Sequence, residues 1–108
     1  MTEAELQSAI VDMAKWLKYR LIYHTYDSRL SQQGFPDLVL VGRGRVLFVE
    51  VKSDKGHLRP AQLEWYAGLL DNGAEAYVWR PKNWVDGTIE KELKRDRRHS
   101  HHSAEEEI

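Results

Sequence analysis

Cysteine is absent from this 108-residue sequence, which excludes a disulfide framework, a thiolate metal site and a cysteine nucleophile, and fits a reducing compartment. An excess of charge of one sign is missing too. Sixteen Lys and Arg stand against 17 Asp and Glu, a formal net charge of −1, so no global basic field points to nucleic acid and any such partner must be held locally. No apolar run reaches the ~20 residues needed to span a bilayer. The opening Met1-Thr2-Glu3-Ala4-Glu5 is acidic where a secretion signal would be basic. A cytoplasmic location with no membrane partner is therefore expected.

What is present is the material for one globular core: 42% apolar and 31% charged residues. Residues 1–95 are expected to form a single domain. Residues 96–108, with three histidines (His99, His101, His102) and Glu105-Glu106-Glu107 but almost nothing to bury, are expected to be a disordered tail with no assigned role.

Leu6, Ile10, Met13 and Leu17 recur at helical spacing and predict a helix from about Thr2 to Tyr19, with Thr2 as N-cap and Glu5 completing a capping box. Leu21 to Tyr26 is β-branched and aromatic and reads as a strand, followed by a polar loop that ends in Gly34-Phe35-Pro36. Asp37–Val41 and Val46–Lys52 flank the glycine-bearing Gly42-Arg43-Gly44-Arg45 and predict a central β-hairpin with both faces largely covered. A loop from Ser53 to Arg59 leads to Pro60 at the first position of a second helix. Asn72-Gly73 stops that helix, Ala74–Trp79 is a further strand, and a short helix is expected from about Trp84 to Lys94. The predicted fold is α/β: a central mixed sheet flanked by helices, in the core order α-β-β-β-α-β.

The hairpin carries a chemical consequence. A symmetric turn sets Val41 opposite Val46, and every opposed pair then has numbers summing to 87, so Asp37 faces Glu50. Opposed β-carbons lie only about 4.5–5.5 Å apart on one side of the sheet, so two carboxylates are forced together. Such a pair destabilises the sheet or keeps a proton unless a cation lies between them. Mg²⁺ fits, since it takes one or two carboxylates, keeps several waters and accepts substrate phosphate oxygens. Lys52, two residues beyond Glu50, shares that face. Two acids, a cation and a lysine suffice for phosphodiester hydrolysis, with Lys52 orienting or deprotonating the nucleophile or stabilising developing charge. The ordinary reading makes Asp37 a turn residue and Glu50 and Lys52 a solvated ion pair. The apolar neighbours of both acids, among which uncompensated charge is costly, favour the site.

These residues, with Gly34-Phe35-Pro36-Asp37, Glu50-Val51-Lys52, Gly56-His57-Leu58-Arg59-Pro60-Ala61-Gln62 and Tyr77-Val78-Trp79-Arg80-Pro81, closely resemble the stand-alone VRR-NUC (virus-type replication-repair nuclease) domain of the PD-(D/E)XK superfamily. The resemblance runs from about Thr2 to Trp84. It implies a Mg²⁺- or Mn²⁺-dependent DNA endonuclease of replication and repair, acting on branched DNA such as Holliday junctions as a homodimer. It makes Asp37, Glu50 and the Val51 carbonyl the metal ligands, Lys52 the catalytic lysine and Gln62 a supporting catalytic residue. It adds a glutamate of the first helix, for which Glu3, four residues before Gln7, fits better than Glu5. Two departures stand out. Arg59 replaces the Ser or Thr usual before Pro60, forgoing a good N-cap, and no glycine occurs near Lys18.

Candidate DNA contacts are His24, Ser28 and Arg29, which resemble the family's His-Thr-x-Asp-Ser-Arg stretch; Arg43 and Arg45 at the hairpin tip; and Lys55, His57 and Arg59 in the loop after Lys52. The ordinary reading of each is a strand-end histidine, a polar loop or a charged turn. Trp65, Tyr66, Tyr77 and Trp79 are placed in the core or a dimer contact rather than stacked on bases. Two other readings stay open: a flap or nicking nuclease with the same site, and a non-catalytic DNA-binding module with a vestigial one.

Overall fold

The structure, a computed structural model, describes residues 1–25 and 32–98. Asp27, Ser28, Arg29 and residues 99–108 of the expected tail lie outside the described residues. The first helix, α1 (Glu3–Trp16), opens as its sequence requires: the Thr2 hydroxyl accepts the Glu5 N–H and the Glu5 carboxylate accepts the Thr2 N–H at 2.8 Å. It buries Leu6, Ile10 and Ala14. Instead of running on to Tyr19 it ends in a Schellman motif, with Tyr19 N–H bonded to Ala14 O and Lys18 N–H to Lys15 O. Lys18 holds the left-handed position with φ 69°. The missing glycine leaves the motif intact and strains it.

Strands β1 (Leu21–His24), β2 (Leu38–Gly42) and β3 (Arg45–Val51) form an antiparallel meander, and β4 (Glu75–Trp79) joins β3 in parallel after the crossover helix α2 (Pro60–Asp71). The spatial order is β1-β2-β3-β4, so the hairpin is central. Leu38 pairs with Val49, Val41 with Val46 and Gly42 with Arg45, the expected register. Its two-residue turn has φ of 53° at Arg43 and 73° at Gly44, both positive as a type I′ turn demands. The short helix expected near the end is two: α3 (Pro81–Val85) and α4 (Thr88–Lys94), separated at Gly87, whose φ is 84°.

Alternation along the strands puts Leu38, Leu40, Leu47 and Val49 on one face, where they are fully buried with Leu6 and Ile10 of α1 and Ile89 and Leu93 of α4. Packing on the other face is thinner than the apolar runs suggest. There α2 docks through Trp65, whose ring meets Phe35 edge-on at 5.1 Å, while Phe35 meets Phe48 at 6.3 Å. Leu21, Tyr23 and Val46 of that face stay 59%, 56% and 45% exposed. Residues 96–98, expected in the tail, are tied back by an Arg97 N–H to Arg43 O bond of 2.9 Å.

Candidate active site

The site forms at the open end of the hairpin, where β2 begins and β3 ends. Gly34 takes φ 84°, and a β-carbon there would lie 2.4 Å from the Ala61 backbone; only glycine lets the Gly34-Phe35-Pro36 turn close against α2. That turn delivers Asp37 to the ladder. Its Oδ2 accepts the Val51 N–H at 2.7 Å, and its backbone oxygen accepts the Thr25 N–H. Glu50 lies beside it with only 5% of its surface exposed. Gln62, in the first turn of α2, donates from Nε2 to Glu50 Oε1 at 3.0 Å, and its Oε1 accepts the Arg59 N–H at 2.8 Å. The glutamine thus caps its helix and orients the acid at once.

The two carboxyl groups are coupled. Burial, then the charge of Asp37 and a hydrogen bond with it, push the Glu50 carboxyl up to about 8 from 4.5, against the opposing pull of Lys52 and Arg59. A group so placed gives up its proton readily only to a cation. Among the described residues no three His, Cys, Asp or Glu side chains gather to hold a metal. The donor set is two carboxylates and nearby backbone, a set that suits a hard, largely hydrated ion such as Mg²⁺ and does not suit zinc.

Glu3 and Glu5 now separate. Glu5 is committed to its own helix cap, where the Thr2 backbone and hydroxyl lower its pKa. Glu3 instead reaches across to the loop after Lys52, its Oε2 accepting the Ser53 N–H at 3.1 Å. Lys55, His57 and Arg59 are exposed along the same loop. His24 sits at the end of β1 opposite Leu38, next in sequence to Asp37, and its ring contacts Gln7 of α1.

The hairpin-tip arginines are used otherwise. Arg45 is 3% exposed; its guanidinium pairs with Glu75 and Glu92 at 2.8 and 2.9 Å and donates to the Glu92 backbone oxygen. Arg43 donates to the carbonyls of Leu17, Lys94 and Arg95, closing the ends of α1 and α4. Five strand residues at about 3.3 Å each put Arg45 about 17 Å from Glu50. Neither guanidinium is disposed as a phosphate contact, and both correct the expectation from sequence.

One participant was present in the sequence reading only as part of the Tyr77–Pro81 motif and given no role. Arg80 Nη1 donates to the carbonyls of Ser53 and Gly56, both at 2.6 Å, and Asp54 accepts the Lys82 N–H. The signal was that motif, with Arg80-Pro81 at the end of a strand parallel to β3.

An acid pair and a lysine thus stand at the end of a hairpin, backed by a glutamine from the next helix, on a four-stranded mixed sheet. The VRR-NUC domain family model matches residues 2–83, and the chain belongs to that family. Two solved structures are similar at 27% identity. One, titled "VRR_NUC domain protein", has a TM-score of 0.67 over 89% of this chain and 92% of that one; the other, titled "VRR_NUC domain", has 0.68 over 83% and 97%. No match was found among curated proteins. Membership implies a nuclease-type function in DNA processing, and nuclease domains of this kind generally use a divalent metal.

Proposed function

We propose that this chain is a Mg²⁺- or Mn²⁺-dependent endodeoxyribonuclease that hydrolyses phosphodiesters in branched DNA, Holliday junctions among them, as an intracellular homodimer. The observation that carries the reading is the Asp37–Glu50 pair, half-buried and buried respectively, with Glu50 held near pKa 8 until a cation replaces its proton.

Asp37 and Glu50 would hold the ion, joined by the Val51 carbonyl; Glu3, expected from the resemblance as a further ligand, does not gather with them and is bonded to the Ser53 N–H beside the site instead. The ion supplies polarisation of a phosphoryl oxygen and a nucleophile at neutral pH. Lys52 brings an ammonium to the same face, where it neutralises charge building on the phosphate or orients the attacking water. Gln62 keeps the Glu50 carboxylate turned toward that space. Lys55, His57 and Arg59 grip flanking phosphates, and His24 lines the adjoining edge. With a net charge of −1, plain duplex is held weakly and in a salt-sensitive way, so shape decides the substrate. The exposed apolar face of Leu21, Tyr23 and Val46 supports pairing with a second copy, and a two-fold dimer carries two sites for the two strands of a junction.

The test is cleavage of labelled four-way junction, flap, single-stranded and linear duplex DNA with Mg²⁺, Mn²⁺ or EDTA. Metal-dependent cutting of the junction, reduced at least about 100-fold in Asp37→Ala, Glu50→Ala and Lys52→Ala, is expected. Preference for the flap would replace junction resolution by flap trimming. Binding without cutting, equal with and without Mg²⁺, would make the chain a DNA-binding module.

A further inference from the structure

We infer that Arg80 is a positioning residue of the proposed nuclease site, holding the Ser53–Gly56 turn so that the Lys52 side chain is fixed against the carboxylate pair; the inference rests on the reading above. The parallel ladder ends where the Lys52 N–H bonds Trp79 O at 3.0 Å, and immediately beyond it the chain turns. Ser53 is gripped from two sides: its N–H by the Glu3 carboxylate at 3.1 Å, its carbonyl by Arg80 Nη1 at 2.6 Å. The same nitrogen takes the Gly56 carbonyl at 2.6 Å, while the Gly56 N–H returns to Ser53 O. One guanidinium nitrogen therefore closes both ends of the turn, through charge-assisted bonds about twice as strong as neutral ones.

The turn lies beside the lysine, with little room between them for an added side chain. A β-carbon on Gly56 would stand 3.7 Å from Lys52 Cδ and 2.8 Å from Ser53 Oγ. Arg80 is rigid in its turn, since its N–H caps α3 by bonding Asn83 Oδ1 at 2.8 Å and Pro81 follows. No other side chain from β4 or α3 donates to these carbonyls among the described residues. Loosening the clamp frees Lys55 within the turn but leaves His57 and Arg59 beyond it in place, and it moves the reacting lysine; misplacement by about 1 Å can cost about 100-fold in rate.

The experiment has two arms. In steady-state cleavage with Mg²⁺, Arg80→Ala should lower kcat about 10- to 100-fold with KM for DNA changed less than about 3-fold, and added ethylguanidinium should restore part of kcat. In amide hydrogen exchange without DNA or metal, Gly56 N–H should exchange at least about 10-fold faster in Arg80→Ala than in wild type, with the α1 amides unchanged. Arg80→Lys, which keeps the charge, stands in if the alanine variant does not fold. A cutting wild type with an equally fast variant, or a fall in kcat that ethylguanidinium leaves untouched, overturns the inference. If the wild type cuts nothing, the nuclease reading fails, and unchanged Gly56 exchange sinks the clamp separately.

Discussion

Replacing Glu50 by glutamine should make the metal-free protein more stable, by an amount that grows with pH. In the folded chain this carboxyl titrates near 8, whereas an unfolded glutamate titrates near 4.5, so the folded state binds the proton more tightly. The stability that comes from protonation is fully present below about 4.5 and is lost as pH rises through 8. At about 1.4 kcal/mol for each pH unit, the interval from 4.5 to about 8 bounds the penalty of the ionised site at about 5 kcal/mol. Relaxation and water entry lower the expected gain to about 2–4 kcal/mol at pH 9. Glutamine keeps the shape, its carbonyl can still accept from Gln62 Nε2, and its amide can donate to Asp37. Urea unfolding in EDTA at pH 4.5, 7 and 9 reads the difference, which should be near nil at the lowest pH and level off above 8. Millimolar Mg²⁺ at pH 9 should raise the Tm of the wild type and leave that of Glu50→Gln nearly unmoved. A variant no more stable than wild type at pH 9, or a difference independent of pH, would refute the coupling of the two acids.

Two further substitutions test the frame. Lys18→Gly relieves the left-handed strain at φ 69° and should stabilise the chain by about 0.5–1 kcal/mol in urea unfolding, the relief of about 1–2 kcal/mol being offset in part by glycine's backbone entropy. Arg45→Met strips Glu75 and Glu92 of their buried partner and should cost about 3–5 kcal/mol in thermal unfolding. Because Arg45 lies far from Glu50, the folded variant should cut DNA at the wild-type rate per molecule.

The carboxylate pair was legible because strand register is arithmetic: a glycine turn between two apolar runs fixes residue 37 opposite residue 50, whatever the rest of the chain does. The same arithmetic contained the correction for Arg45. Counting by twos from Leu47 and Val49 sets residue 45 on the buried face, but an arginine next to a turn looks solvated, and only Glu75 and Glu92, 30 and 47 residues away, show how it is accommodated. Spacing before Gln7 favoured Glu3 over Glu5 only by resemblance, since both suit a first helical turn. What separates them is a bond to Ser53, 50 residues distant. Arg80, legible only as part of a motif, was given no role for the same reason, its partners being backbone carbonyls that no residue type announces. The early end of α1 is a local miss: without glycine near Lys18, nothing marks a left-handed residue, yet Schellman bonding imposes one.

The two ends of the hairpin divide the molecule into a working end and an anchoring end, and the first and last described residues fall on opposite sides of that division. Glu3 touches the loop beside the acids, whereas Arg97 is pinned to the hairpin tip by Arg43 and the last carbonyls of α4 are held there too. A fluorophore, affinity handle or fused domain joined before Thr2 would therefore crowd approaching DNA. The same cargo joined after Arg98 would ride behind the nuclease, clear of its substrate.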